Sequence, residues 1–547
     1  MSDGTKDSRV DIAGQRIDDV FRRALTLWPE RDFLIAPRQG DAAMRVLSYG
    51  EVGAQVTQYA EALRAAGYGI GHRAAVLLGT CPEHYILKLA MARIGVSFVP
   101  VNPDYHASEL AYLLQDSGAA LAIASAPYAQ LMRAGMAEAE SPVASPVAFV
   151  AFEEILAGVP PAKSAAQEGA ITPQSETGLI YTSGTTGRPK GCILSHEYEL
   201  MVGESYVRIG PPVSLSETDR VFNPLPAFHI NAGVVGFLGV LLTGAALIQP
   251  ERFSARNWWR DTGETGATIF HYLGVVISVL LADKSTGADD LGHLRVGLGA
   301  GVEPALHVAF EARFGIPLIE VWGMTEMCRV FAMDEEPRRI DTRAFGRERP
   351  GLEAQVWDDA GGEVAAGVAG EMVLRHSAAT PRKGFFSGYL NKDDATAEAW
   401  EGGWFHTGDT VVKSADGVLT FVDRKKNIIR RSGENIAAAE VENVLLQDAR
   451  VVNVACIAAP DDIREEEVLA AIVLAEGVEP SAATARAIFD AAFAQMAYYK
   501  PPGWMLFVDA LPVTGTQKVV KHKIFGPDEN PLRRPDIHDF RELKRRG

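Results

Sequence analysis

Hydrophobic positions in the first 125 residues alternate between two kinds of stretch. Short apolar runs read as strands: Phe33-Leu-Ile35, Arg45-Val-Leu-Ser-Tyr49, Ala74-Ala-Val-Leu-Leu78, Gly95-Val-Ser-Phe-Val-Pro100 and Ala119 to Ser125. Longer mixed stretches between them read as helices over Ile17–Trp28, Tyr49–Ala66, Cys81–Ile94 and His106–Ser117. Strands alternating with helices at this spacing predict a parallel, doubly wound α/β sheet. Residues 134–175, rich in Ala, Pro, Ser and Glu, lose the pattern and read as a connection.

The alternation resumes past residue 195. A helix starts over His196–Gly203, and Asp219 to Pro226 returns to a strand that leads into Ala227-Phe-His-Ile-Asn231. The uncharged run Ala232 to Ile248 is close to the shortest membrane span. It holds Gly233, Gly236, Gly239 and Gly244 and ends in a strand-like Ala245-Ala-Leu-Ile248, so it reads as a buried helix followed by a buried strand. Strands follow at Ala267–Tyr272, Leu294–Leu298, Gly370–Arg375 and Gly417–Arg424, with a helix over Leu273–Leu281. The last stretch reads as a small α+β domain: a helix over Ala438–Leu446, strands over Val451–Ala458 and Glu467–Ala475, a helix over Ala482–Met496 and a strand near Met505–Val508.

Length and composition narrow the class. A chain of 547 residues needs two or more domains, and 47% hydrophobic with 22% charged residues is a globular balance. A net charge of −17 argues against general nucleic-acid binding. Cys81, Cys192, Cys328 and Cys456 form no Cys-x-x-Cys pair, which points to a reducing compartment and no structural zinc. The polar Met1–Arg9 lacks the apolar core of a signal peptide. A cytoplasmic protein without a membrane span is therefore expected.

The chemistry centres on Tyr181-Thr-Ser-Gly-Thr-Thr-Gly-Arg-Pro-Lys-Gly191. Gly184 and Gly187 let backbone N–H groups turn toward an anion, Thr182, Ser183, Thr185 and Thr186 add hydroxyl donors, and Lys190 adds a point charge. Apolar runs lead in and out, so the segment reads as a strand–loop–strand gripping nucleotide phosphates. Its glycine spacing differs from that of the common P-loop. A flexible surface loop is the plain alternative.

This segment resembles the phosphate-loop signature of the adenylate-forming superfamily, which holds acyl-CoA synthetases, peptide-synthetase adenylation domains and beetle luciferases. The resemblance extends over nearly all of the chain. It implies a large N-terminal domain of doubly wound sheets with a small barrel-like region over residues 1–425, and a small mobile α+β domain over 426–547, with Lys426 as the hinge. By the same resemblance Gly299, Ala300 and Gly301 contact adenine, as does Ile319-Glu-Val-Trp-Gly-Met-Thr-Glu326, which supplies Trp322, Gly323, Met324 and Thr325. Trp322 stands where relatives have Tyr, which keeps a stacking ring and loses a hydroxyl. Glu326 is the expected Mg²⁺ ligand. His229 borders the carboxylate pocket and the path of the acceptor thiol, and Tyr272 and Gly274 line the acyl pocket. Asp409, in Gly403-Trp-Phe-His-Thr-Gly-Asp409, accepts from the ribose hydroxyls, and Arg424 contacts ribose or phosphate. Gly433, Glu434 and Asn435 belong to the loop for the thioester step. Lys518 takes the place of the catalytic lysine, although Gln517 departs from the Gly usual before it.

The function this implies is activation of a small carboxylic acid by ATP, with Mg²⁺, to an acyl-adenylate, and transfer of the acyl group to CoA with release of AMP. Lys518, Lys190, Glu326 and His229 are the residues expected to carry it. Residues 219–300 look most like those of ligases for small polar or short-chain acids, such as crotonobetaine/carnitine-CoA ligases. A stand-alone adenylating enzyme that loads a carrier protein stays open, as does a nucleotide-binding protein without catalysis. A luciferase-like oxygenase has no specific support. A homodimer is an assembly open to such a chain.

Overall fold

The structure is a computed structural model and describes residues 10–139, 147–182, 189–283, 291–424, 427–431, 434–461, 465–496, 498–513, 519–526 and 529–544. The chain packs as two compact units, residues 1–354 with 374–405, and residues 355–373 with 406–547.

The first unit contains two large sheets. In one, parallel strands stand in the order Leu318–Trp322, Val296–Ala300, Ile269–Leu273, Arg220–Phe222, Ala246–Ile248 and Asp32–Ala36. Phe331–Ala332 and Arg45–Ser48 add antiparallel strands at the two edges. In the other, Glu176–Thr182, Ser97–Pro100, Arg73–Leu77, Leu121–Ala124 and Ala148–Ala151 run parallel. Lys190–Ser195 and then Gly388–Tyr389 extend its first edge antiparallel. These strands read as near-continuous apolar runs because both their faces are covered.

Helices lie on both sheets. Pro82–Ile94 packs against Ser97–Pro100 of one sheet and Asp32–Ala36 of the other, and is buried nearly all round. A helix so placed must neutralise any charge it carries. Lys88 does so by pairing with Glu199 of helix His196–Val207 at 2.8 Å, and Glu199 also accepts the Thr177 hydroxyl at 2.7 Å. His84 lies edge-on to Phe98, and burial lowers its pKa to about 3, so it is neutral. The larger sheet has its own aromatic core of Phe222, Trp258, Phe270, Phe310 and Phe314.

Two stretches differ from the reading of the sequence. Residues 134–175 are not merely a connection: they include the end of helix Ala129–Ala139 and the edge strand Ala148–Ala151. The helix buries Ala129, Met132, Gly135 and Ala139, with Met132 the one large side chain, so its apolar pattern is weak in the sequence. A Cβ on Gly135 would lie 2.6 Å from Leu110 Cγ. The helices Ala255–Thr265 and Pro304–Phe314 complete crossovers on either side of the expected helix over Leu273–Leu281, where the apolar pattern shows only strands. The run Ala232 to Ile248 resolves as read, into buried helical turns over Asn231–Gly236 and Phe237–Thr243 and the strand Ala246–Ile248. Among the described residues, no helix is long and apolar enough to cross a membrane.

In the second unit an antiparallel sheet orders Leu419–Arg424, Phe405–Lys413, Ala369–Arg375 and Glu353–Trp357, where the small barrel-like region was expected. A further sheet orders Glu434–Ala437, Ile428–Arg431, Glu465–Leu474, Trp504–Phe507 and His538–Asp539, with Val451–Asp461 also paired to Glu465–Leu474. Helices Ala438–Leu445 and Ala482–Phe493 cover a core that includes Ile429, Val441, Val454, Phe489 and Met505. Asp423 ties the two sheets together. It accepts from Asn427 Nδ2 at 3.1 Å and from the Ala439 N–H at 2.9 Å, at the start of helix Ala438–Leu445. The expected hinge Lys426 lies outside the described residues.

Candidate active site

Four neighbouring parallel strands deliver the expected site residues at one edge of the larger sheet. Leu318–Trp322 leads into Gly323-Met-Thr-Glu326, Val296–Ala300 into Gly301, Ile269–Leu273 into Gly274, and Arg220–Phe222 into the turn that carries His229. Ligands of open α/β sheets bind at the carboxyl ends of strands, where backbone groups are no longer used by the ladder. Segments more than ninety residues apart in sequence are thus brought together by strand order alone.

Close backbone approach holds two of these strand ends together. A Cβ on Gly274 would lie 2.0 Å from the Gly301 carbonyl oxygen, and one on Gly299 2.2 Å from the Tyr272 oxygen. Neither position admits a side chain. Gly301 has φ +76°, and neither it nor Gly323 has neighbours where a Cβ would stand, so there is room for a flat ring beside the backbone. Beneath them Glu320 accepts the Gly301 N–H and, at 3.1 Å, the Tyr272 hydroxyl. Burial raises the Glu320 pKa to about 8. Tyr272 is wholly buried, so its hydroxyl serves Glu320. The Trp322 indole is buried between Phe331 and Phe345, with ring centroids 5.7 and 5.8 Å away.

His229 is half-buried beside the Phe228 ring, at 4.5 Å between centroids, and burial lowers its pKa to about 4. A polar network supports its turn. His271 Nδ1 lies 2.8 Å from Asn231 Oδ1, and its Nε2 lies 3.0 Å from the Tyr206 hydroxyl. Asn223 Nδ2 donates to the same Asn231 oxygen at 3.0 Å. Burial lowers the His271 pKa to about 3, so the ring is neutral. The same Nδ1 also lies 3.1 Å from the Asn223 amide nitrogen, so both asparagine side chains meet the ring at one nitrogen.

Tyr389 connects the end of the phosphate loop to Glu326. Strands Glu176–Thr182 and Lys190–Ser195 pair with Thr182 opposite Lys190, so the loop leaves and re-enters the sheet at one register position. Tyr112 fixes the returning end by donating to the Pro189 carbonyl at 2.9 Å, and Tyr181 donates to Asp116 at 2.9 Å. The Lys190 ammonium stands 4.8 Å from the centre of the Tyr389 ring, whose hydroxyl donates to Glu326 Oε1 at 2.9 Å. Tyr198 donates to the Thr325 and Met327 carbonyls at 2.7 and 3.0 Å, and the Phe386 N–H to the Glu326 carbonyl at 2.9 Å. Glu326 is thus held from both sides of its chain. Among the described residues, no three His, Cys, Asp or Glu side chains cluster as a metal cage. A single carboxylate next to the expected phosphate loop suits Mg²⁺, which keeps most of its waters.

In the second unit Asp409 and Arg424 face each other on paired strands, with Arg424 Nε 2.7 Å from Asp409 Oδ1. Asp409 is buried, and its N–H donates to Thr407 Oγ1 at 3.1 Å. The backbones of Glu434 and Asn435 pair with Arg431 and Arg430. Ser183, Gly184, Thr185, Thr186, Gly187, Gly433 and Lys518 lie outside the described residues.

The reading of the sequence missed Tyr389, Glu320, His271 and Asn231. Glu320 left a signal, a lone acid inside the apolar Leu318-Ile-Glu-Val-Trp322. Tyr389 left none, since its partners Lys190 and Glu326 are distant in sequence and meet it only through the sheet edge.

Comparison with known proteins bears on these features. A family model described as AMP-binding enzyme matches residues 21–390, and one described as AMP-binding enzyme C-terminal domain matches residues 440–518. The chain is 30% identical over 491 residues to a crotonobetaine/carnitine–CoA ligase of Proteus mirabilis, covering 87% of this chain and 93% of that one. It is 29% identical over 534 residues to the ligase of the same name from Salmonella arizonae, covering 94% and 99%. Among solved structures it resembles the anthranilate CoA ligase AuaEII in complex with anthranoyl-AMP. The TM-score is 0.79 at 25% identity, covering 93% of this chain and 96% of that one.

Proposed function

This chain belongs to the AMP-binding enzyme family, as an acyl-CoA ligase, and from that premise we propose how its residues share the reaction and which class of acid it takes. The first half-reaction is attack of the substrate carboxylate on the α-phosphorus of ATP, with pyrophosphate leaving and an acyl-adenylate forming. A carboxylic acid is already ionised near neutral pH, so no general base is needed. The protein must hold anions together and in line. Thr182, Ser183, Gly184, Thr185, Thr186, Gly187 and Lys190 bind the phosphates. Gly299, Ala300, Gly301, Trp322, Gly323, Met324 and Thr325 border the adenine. Asp409 and Arg424 serve the ribose.

Glu326, oriented by Tyr389, is the residue that would hold Mg²⁺, which when bound offsets phosphate charge. Lys518 stabilises the transition state. In the second half-reaction the CoA thiol attacks the acyl carbonyl carbon and AMP leaves. Gly433, Glu434 and Asn435 serve that step, with the break between working parts near Lys426. His229 borders the carboxylate pocket, and its neutral ring leaves that wall uncharged.

The observation that carries this reading is the Lys190–Tyr389–Glu326 cluster, which gives the phosphate loop and the expected metal ligand a shared partner. The substrate is a small polar or short-chain acid. His229 and Gly274 bound its pocket, whereas the wholly buried Tyr272, expected there, offers it no surface, and crotonobetaine and carnitine, named for the relatives, come first in the test. Four free cysteines suit a reducing cytoplasm.

The test is AMP release with Mg-ATP across a panel of carboxylic acids, each with and without CoA. CoA-dependent AMP formation with one class of small acid is the expected result and identifies the substrate. Acid-dependent pyrophosphate exchange without CoA turnover would instead establish a carrier-loading enzyme. ATP binding with no AMP formed across the panel would overturn catalysis.

A further inference from the structure

The end of the chain is built into the core of the second unit. His538–Asp539 pairs antiparallel with Trp504–Met505, and the Phe540 N–H donates to the Gly503 carbonyl at 2.8 Å. The Phe540 ring stacks on Phe489 at 4.7 Å. Arg541 pairs with Asp461 at 2.9 Å and lies 4.4 Å from the centre of the Trp504 ring. These contacts bring Lys544 into an interior position.

Lys544 meets Glu467 there, and the side chains of both have no exposed surface. One Glu467 oxygen takes the Lys544 ammonium, and the other takes Arg431 Nε at 2.7 Å. The Arg431 side chain is only 5% exposed. Gly503 leaves no slack: a Cβ there would lie 2.2 Å from Glu467 Cγ. Apolar residues of similar volume would fill such a site at no loss of stability, so the buried charges point to a positional task.

We propose that Lys544 is a positioning residue for the thioester step: through Glu467 it holds Arg431, and with it the strand Ile428–Arg431 that leads into Gly433-Glu434-Asn435. Arg431 stands opposite Glu434 in the strand pairing, so a shift of Arg431 is a shift of that loop's base. The inference rests on the reading of Gly433-Glu434-Asn435 as the loop of the second half-reaction.

The experiment uses the full-length enzyme and separates the half-reactions. Pyrophosphate exchange reads adenylation, and acyl-CoA formation from preformed acyl-adenylate reads the thioester step. Lys544→Met should slow the thioester step by about 10²-fold, the size of loss a small misplacement produces, and leave adenylation unchanged. Lys544→Arg, which keeps the charge, should recover most of the rate. Arg431→Met should show the same selective loss and reads the same link if Lys544→Met does not fold. The double variant should be no worse than the more damaged single variant, since both act through Glu467. Equal loss in both half-reactions, additive losses, or no loss would each overturn the proposal. Gly433→Trp separates it from its premise. If that variant forms the thioester at the normal rate, the loop assignment fails; if it blocks the step while Lys544→Met does not, the proposal alone fails.

Discussion

The two units hold their candidate residues by different means. In the first, the holding force is backbone proximity. Gly274 and Gly299 sit so close to the backbones of Gly301 and Tyr272 that no side chain fits, and the ends of parallel strands set the spacing. Polar groups there are mostly neutral: burial keeps His271 and His229 uncharged and favours the protonated form of Glu320. In the second unit full charges do the holding, in the buried Arg431–Glu467–Lys544 and in the pairing of buried Asp409 with the partly exposed Arg424. A neutral, close-packed frame is rigid and indifferent to which anion is bound. A charge-linked frame depends on a few contacts, each expensive to break. The first arrangement suits residues proposed to serve both half-reactions, and Arg431–Glu467–Lys544 suits an element proposed to serve one.

The test with the largest expected effect addresses that division. Lys518→Ala should slow adenylation by about 10²–10³-fold, as for loss of one transition-state donor, and largely spare thioester formation from preformed acyl-adenylate. Equal damage to both steps, measured on the separated half-reactions, would end the division of labour.

A smaller effect is expected in the first unit. Gly274→Ala drives a methyl group into the Gly301 carbonyl, and overpacking of this kind costs about 1–3 kcal/mol. Both half-reactions should fall together by roughly tenfold, in line with that energy. Unchanged rates in a destabilised variant would make the contact one of packing only.

The smallest effect concerns pH. Glu320 has a folded pKa of about 8 against an ordinary 4.5, so its contribution is full below about 4.5 and is lost as pH rises toward 8. His271 runs the other way: its contribution is full above 6.5 and is lost as pH falls toward 3. Glu320→Gln should therefore flatten the fall of Tm between about pH 4.5 and 8 by roughly 2–4 °C and leave the acid limb in place. An unchanged fall over that window would show that Glu320 is ionised when folded.

Much of the fold was legible because continuous apolar runs mark strands buried on both faces. The segment Ala74–Leu78 falls on the strand Arg73–Leu77, and Tyr49–Ala66 on the helix Tyr49–Ala65. Helix Ala129–Ala139 was illegible because three of its four buried positions are Ala or Gly, which leaves only a faint apolar stripe. At the site, Lys190 stood out by its local chemistry, small residues and hydroxyls beside a charge, while Glu326 and Gly299-Ala-Gly301 were singled out only through the family resemblance. Tyr389 and Lys544 were not, because nothing local distinguishes either from a surface residue.

The sequence by itself determined most of the strands and helices from local apolar pattern and, through short motifs that resemble a known family, the class of reaction. Only the tertiary structure decided which distant groups share a partner. Tyr389 reaches Glu326 through a sheet edge, Tyr272 turns its hydroxyl to Glu320, and Lys544 ends beside Glu467. The physical reason is that burial makes each polar group find a partner wherever the packed strands bring one, and strand order is not written in any single stretch of chain.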